Sequence, residues 1–283
     1  MTAGLAQMLA AHIETGMPAA LVTIVEARGS TPRETGAMMM VTLEGVAGTI
    51  GGGRLEWDAI AAARAMLVSS AKTQSLKISL GPNIGQCCGG NVELLLERAT
   101  EQTLANVQMV EAVERAASPD IFIYGAGHVG RALAAALSPL PFRVRLIDER
   151  ASEFASVKAD SGVECVLTDQ WLAKAKEAPS GAAHLVMTHL HSLDALIAAT
   201  ILERGDFGYL GIIGSRTKHK RFEAAFRQLD IAASDIARIV CPIGSTSVRD
   251  KRPTVIAALV AAELISCFFA KTPQGDSGLS GVP

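Results

Sequence analysis

Several short stretches carry the residue types that could do chemistry, and the strongest lies near the middle of the chain. Ile121-Phe122-Ile123-Tyr124 runs straight into Gly125-Ala126-Gly127-His128-Val129-Gly130. A helical stretch follows, then a second apolar run, Val144 to Ile147, that ends at Asp148. Strand, G-x-G-x-x-G, helix, strand and acid is the layout that opens a nucleotide-binding sheet. Gly125 permits the tight turn, Gly127 lets a phosphate approach the backbone, and Gly130 lets helix and strand pack closely. The helix start offers unpaired N–H groups and a positive dipole end to an anion. Asp148 stands where a carboxylate would accept from a ribose hydroxyl. His128, at the helix start, suits a ligand contact and equally a surface or capping role. The expected ligand is phosphorylated and nucleotide-like.

Thr188-His189-Leu190-His191-Ser192-Leu193-Asp194 follows another apolar run. Ligands of such sheets bind beyond the carboxyl ends of the strands, so His189 and His191 are candidates to line the site. Their i, i+2 spacing alone is a weak metal pattern, and Asp194 also suits a helix start. Gly214-Ser215-Arg216-Thr217-Lys218 follows the next run. A glycine, a hydroxyl at Ser215 and the two cations of Arg216 and Lys218 suit a phosphate or carboxylate; the plainer alternative is a loop and N-cap.

The first half repeats the logic. Thr49-Ile50-Gly51-Gly52-Gly53-Arg54-Leu55-Glu56 is strand, glycines and helix start, which makes Gly51, Gly52, Gly53 and Arg54 candidate ligand contacts. Gly85-Gln86-Cys87-Cys88-Gly89-Gly90 adds adjacent thiols. Adjacent cysteines do not easily share one metal ion and C-x-x-C is absent, which argues against zinc. Thiols beside glycine amides suit low-pKa nucleophiles or soft ligands; buried, inert cysteines are the alternative. Cys241, before Pro242-Ile243-Gly244, is a weaker case. Cys165 and Cys267 sit in apolar contexts and are expected in the core.

The elements that must hold these residues divide the chain. Leu5, Met8, Leu9, His12 and Ile13 recur at helical spacing. Strands are expected over 20–27, 38–43, 46–50, 76–80 and 91–97, with helices over 54–69 and 101–117, an α+β pattern. From Asp120 apolar runs alternate with helical patterns, which predicts a Rossmann-like doubly wound parallel sheet. A final apolar helix is expected over 253–269. The predicted organisation is an α/β chain with a smaller α+β domain at 1–118, a Rossmann-like domain at 119–270, and a disordered tail rich in Gly, Ser and Pro at 271–283.

The 283 residues are 49% hydrophobic but only 4% aromatic, so aliphatic side chains and Met must build the core. A formal charge of −2 argues against a nucleic-acid binder. No basic-then-apolar leader opens the sequence, and no uninterrupted apolar run of about 18 residues exists, so neither a signal peptide nor a membrane span is expected. Five cysteines without disulfide-like spacing suggest reduced thiols in the cytoplasm.

Taken in order, Gly29-Ser30-Thr31-Pro32-Arg33, Gly48 to Glu56, Gly81 to Gly90, Gly125 to Gly130, Thr188-His189-x-His191, Gly211-x-x-Gly214-Ser215-Arg216 and Cys241-Pro242-Ile243-Gly244 resemble the XdhC/CoxI family of xanthine dehydrogenase accessory proteins. The likeness spans the chain except its tail. Arg54 after the paired glycines, where the CoxI-like branch carries Cys, and Cys87-Cys88 resemble the XdhC branch. Past Gly244 the sequence Ser245-Thr246-Ser247-Val248-Arg249-Asp250-Lys251-Arg252 departs from the family's Thr-Pro-Glu-Glu-like helix start. The resemblance implies a chaperone and not an enzyme. The family binds molybdenum cofactor (molybdopterin), protects it while a cysteine desulfurase adds the terminal sulfido ligand, and delivers it to the molybdenum subunit of apo-xanthine dehydrogenase. A homodimer is expected. Cys87 or Cys88 would be the soft contact to molybdenum or sulfur. The rivals are an NAD(P)-dependent oxidoreductase using the glycine loop, for which no Tyr-x-x-x-Lys or comparable pair is present, and a redox or metal-relay protein using the paired thiols.

Overall fold

The computed structural model describes residues 4–80, 89–244 and 248–270. The chain separates into two compact units, residues 2–114 and residues 115–283.

The N-terminal unit is an antiparallel sheet with helices on both faces. Its elements are α1 (Leu5–Glu14), β1 (Ala19–Arg28), β2 (Met38–Thr42), β3 (Val46–Gly48), α2 (Gly53–Val68), β4 (Thr73–Ser79), β5 (Asn91–Arg98) and most of α3 (Glu101–Ala117). The strand order is β3-β2-β1-β5-β4. Alternation along β1 sends Ala20, Val22 and Ile24 to one face, where they pack with Leu55, Ala59, Ala63 and Met66 of α2. It sends Ala19 and Leu21 to the other, beside Leu9 of α1 and Val107 of α3.

The C-terminal unit is a doubly wound parallel sheet, as its alternating runs predict. It contains β6 (Asp120–Tyr124), α4 (His128–Leu137), β7 (Arg143–Asp148), a 3-10 turn (Ala151–Phe154), β8 (Glu164–Leu167), α5 (Trp171–Glu177) and β9 (Ala183–Val186). It continues with α6 (His191–Arg204), β10 (Tyr209–Ile212), α7 (Arg216–Gln228), α8 (Ala233–Ile236), β11 (Ile239–Val240) and α9 (Pro253–Phe269). The sheet order β11-β10-β9-β6-β7-β8 places the chain reversal between β6 and β9. That switch point opens the crevice where ligands of such sheets bind.

Every residue of β6 is buried, and the strand feeds two cores. Phe122 and Tyr124 pack with residues of α5, α6 and α7, while Ile121 and Ile123 pack with α4 and α9. At the amino end of β6, the buried Asp120 accepts from Arg143 Nε (3.0 Å) and Nη2 (2.5 Å) and from Arg145 Nη1 (2.7 Å). Burial opposes ionisation of Asp120, but the two guanidinium groups outweigh it and hold the carboxyl below its ordinary value. Arg143 also donates to the carbonyls of Arg115 and Ala116 at the end of α3, satisfying acceptors that a helix terminus leaves orphaned.

Two cysteines correct the sequence expectation. Cys165 and Cys267 are exposed, while Cys241 is buried. Cys165 lies on β8, an edge strand of the sheet, and Cys267 lies in the last turn of α9, past the helix's last fully buried residue, Leu264. Apolar neighbours in sequence do not bury a residue at an edge.

Candidate functional site

The turn between β6 and α4 is built as its glycines require. Gly125 has φ +115°, which a residue with a side chain rarely adopts, and a Cβ there would overlap the carbonyl of Met187. A Cβ at Gly130 would overlap the carbonyl of Gly125. Gly127, by contrast, has nothing within 4 Å of a notional Cβ, so the approach to the loop is open there. His128 is the first, exposed residue of α4. Among the described residues no side chain caps this helix, which leaves first-turn amides free for an anion.

Asp148 does not wait for a ribose. It is fully buried, and its Oδ2 accepts from the Ala126 amide (2.7 Å) and from Arg150 Nη2 (3.0 Å). Its Oδ1 accepts from the Arg150 amide (3.0 Å) and Arg150 Nε (2.9 Å). A carboxylate offers about four acceptor positions, and here the chain fills them. Burial pushes its pKa up, yet the Arg150 and Ala126 hydrogen bonds prevail and hold it below the ordinary value. Asp148 therefore braces the glycine loop from beneath.

The glycine loop of the N-terminal unit is braced in the same way. Glu56 Oε1 accepts from the amides of Ile50 (2.9 Å), Gly51 (3.2 Å) and Gly52 (2.9 Å) and from the Thr49 hydroxyl. Burial opposes this too, but the Thr49, Gly52, Ile50 and Gly51 donors outweigh it and depress the Glu56 pKa. Converging amides of this kind form an anion cradle, and in this chain the anion is its own carboxylate. Arg54 turns to Asp58 one turn along α2 (2.8 Å). The sequence motifs of this unit meet here. A Cβ at Gly51 would come 2.5 Å from Pro32 Cγ, and one at Gly90 would come 2.5 Å from the Ser30 carbonyl. Cys87 and Cys88, which precede that glycine pair, lie outside the described residues.

On the other side of the switch point, the loop after β9 carries Thr188 to Leu190, and His191 opens α6. Asp194, fully buried in the first turn of α6, accepts from the Thr188 amide (2.9 Å) and hydroxyl (2.7 Å). Its other oxygen pairs with Lys218 Nζ of α7 (2.9 Å), which also donates to the Ile213 carbonyl (3.0 Å). A buried pair costs desolvation that further hydrogen bonds must offset; here Asp194 accepts three and Lys218 donates two. His189, exposed, stands 3.7 Å from Glu149. His191, also exposed, stands 3.9 Å from Asp194. Ser215 caps α7, its hydroxyl accepting from the Lys218 amide (3.2 Å). The Arg216 side chain lies outside the described set.

A cavity of about 500 Å³ opens at this end of β9 and β10, among Thr188, His191, Ile213, Ser215, Lys218 and Arg221. Of the residues expected from sequence, it gathers His191, Ser215 and Lys218. Residues not singled out as contacts, Thr188 and Arg221, complete the polar lining. Arg221 stands three residues after Lys218 on α7, so helical spacing was the available signal. The buried Cys241 thiol adjoins the floor, 3.3 Å from a notional Cβ at Gly214, and burial pushes its pKa up against the opposing Lys218 charge.

Among the described residues no group of His, Cys, Asp and Glu could hold a metal ion, and no helix is long and apolar enough to cross a membrane.

A doubly wound sheet with a glycine loop at its switch point, preceded by a separate antiparallel unit, defines the class of this protein. Its family follows from comparison. Residues 121–264 match the XdhC Rossmann domain, and residues 12–77 match the XdhC and CoxI family. The chain belongs to the XdhC/CoxI family. It is 26% identical over 257 residues to the uncharacterized protein YqeB of Escherichia coli strain K12, a match covering 89% of this chain but 44% of that protein. The chain thus spans less than half the length of that curated relative. A crystal structure from Bacillus halodurans, described as a xanthine dehydrogenase, is similar with a TM-score of 0.73 at 18% identity, covering 96% of this chain and 98% of the other. At that identity the likeness is one of fold.

Proposed function

We propose that this chain is a non-catalytic accessory protein that carries molybdenum cofactor, a pterin dithiolene bearing a single phosphate. It would shield the cofactor while a cysteine desulfurase supplies the sulfido ligand and then deliver it to the molybdenum subunit of apo-xanthine dehydrogenase. Family membership supports the accessory role. One observation carries the choice of cargo over a dinucleotide: the Asp148 carboxylate, where an adenosine ribose would hydrogen-bond, is filled by Ala126 and Arg150. A dinucleotide needs that side of the crevice. A ligand with one phosphate does not, and the side toward β9 and β10 is open.

The chain's own residues would act by binding alone. The free first-turn amides of α4 would face a ring carbonyl of the cargo, and the open space above Gly127 would admit it. His128, His189 and His191, all exposed at this end of the sheet, would offer hydrogen bonds to the ring edges. Cargo of this kind brings its own redox chemistry, and the carrier need only exclude water from it.

Anaerobic purification followed by pterin and molybdenum analysis tests the reading. Near-stoichiometric pterin and molybdenum, and activation of apo-xanthine dehydrogenase by the loaded protein, are expected. Micromolar NADH binding with no retention of the cofactor would instead favour the nicotinamide-dependent oxidoreductase.

A further inference from the structure

The cavity at the carboxyl ends of β9 and β10 has a charge balance that selects its ligand. Among the described residues its lining contains the cations Lys218 and Arg221, the imidazole of His191 and the hydroxyls of Thr188, Ser215 and Thr217, with no carboxylate. Asp194, which bonds Thr188 and Lys218 of the lining, is fully buried and already pairs with Lys218. Among the described residues Arg221 has no acidic partner. One wall is apolar, formed by Ile213 and Phe222, with Lys218 Nζ 5.2 Å from the Phe222 ring centroid. Cations and hydroxyls beside an apolar wall suit an oxyanion attached to a flat ring.

Other candidate anion cradles are less available. The Glu56 carboxylate fills the cradle at Ile50–Gly52, and Asp148 takes the Ala126 amide of the β6–α4 loop. The smaller cavity beside β4 and β5 is lined by Glu26 and Glu93 as well as Arg28 and Lys77, so it has no preference of sign.

We propose that this cavity, and not the glycine loop, binds the phosphate monoester of the cargo, with Arg221 as the principal cation and Ser215 and Thr217 as hydroxyl donors. Lys218, tied to Asp194, shapes the floor. The assignment of the cargo itself rests on the function proposed above, whereas the preference for a phosphate rests on the cavity.

The test measures binding of isolated molybdenum cofactor, and separately of inorganic phosphate, to the full chain by titration calorimetry under anaerobic conditions. Wild type is compared with Arg221→Gln, Arg221→Lys and Thr217→Val, each checked for an unchanged melting temperature. Arg221→Gln is expected to weaken both ligands at least about tenfold, with Arg221→Lys between it and wild type because a lysine cannot reproduce a bidentate contact. Thr217→Val should weaken both less. If the cofactor binds wild type and Arg221→Gln equally, the subsite is wrong while the carrier reading survives. If phosphate binds in an Arg221-dependent way but the cofactor does not bind wild type, the cavity stands and the carrier reading fails. Binding of neither ligand overturns both.

Discussion

His184 sits in β9 at 2% exposure, its Nδ1 3.0 Å from the Tyr124 hydroxyl and its ring against those of both Phe122 and Tyr124. Burial, aided by the charge of Arg204 and opposed by that of Asp206, pushes its pKa down to about 4. An unfolded histidine titrates near 6.5. Between those values the unfolded chain binds a proton that the folded chain refuses, so stability falls as the pH drops through that window. The loss amounts to about 3 kcal/mol, since one pKa unit is about 1.4 kcal/mol. Asp120 and Asp148 act in a lower window. Their depressed values add stability above the ordinary carboxylate range, and that stability is lost as pH falls through the folded values. Acid unfolding should therefore begin with the histidine. Urea melts at pH 7.5 and 5.0 should show a clear drop for wild type and a much smaller one for His184→Gln; equal drops would assign the effect to other groups.

At the scale of elements, the β6–α4 turn sets two glycines apart by function. An alanine at Gly130 would press on the Gly125 carbonyl, with no flexible side chain to yield. Overpacking of this kind costs about 1–3 kcal/mol. Gly127, at φ −64° with open space around it, should accept alanine at almost no cost to stability. Thermal melts should separate the variants by several degrees; equal melting temperatures would mean that the turn is not closed by Gly130. A bulky residue at Gly127 should spare the fold and block a ligand approaching the loop. These glycines were legible because their spacing is local, and the same holds for α9, announced by Pro253 and an apolar run. Other elements were only faintly marked, for physical reasons. Every residue of α6 from Ile197 to Leu202 is buried, so no amphipathic period marks it, and only Asp194 suggested its start. The two residues of β11 are a strand only because Leu210 and Gly211 pair with them. Glu56 and Asp148 belong to readable motifs, but their occupation of the loops depends on where folded side chains reach, which spacing does not encode.

At the scale of the molecule, each unit has its own core. The C-terminal unit packs β6 between one set of helices on each face, and the N-terminal unit does the same with β1. Buried aliphatic side chains contribute about 1.5–3 kcal/mol each, and with its own core the unit of residues 115–283 is expected to fold independently. The fragment should start no later than Arg115, because Arg143 hydrogen-bonds the carbonyls of Arg115 and Ala116 while holding Asp120. A single cooperative denaturant transition is expected for it. The same separation bears on where binding energy resides. In the N-terminal unit the described glycine cradle is filled by Glu56, whereas the C-terminal unit keeps the open α4 amides and the cationic cavity. The isolated C-terminal unit should thus bind inorganic phosphate within about threefold of the full chain, a difference under 1 kcal/mol. It should retain most of the affinity for the cofactor. A folded fragment that binds the cofactor more than about tenfold weaker, yet phosphate equally well, would assign the missing affinity to the N-terminal unit. Cys87→Ala and Cys88→Ala in the full chain would then show whether the thiols supply it.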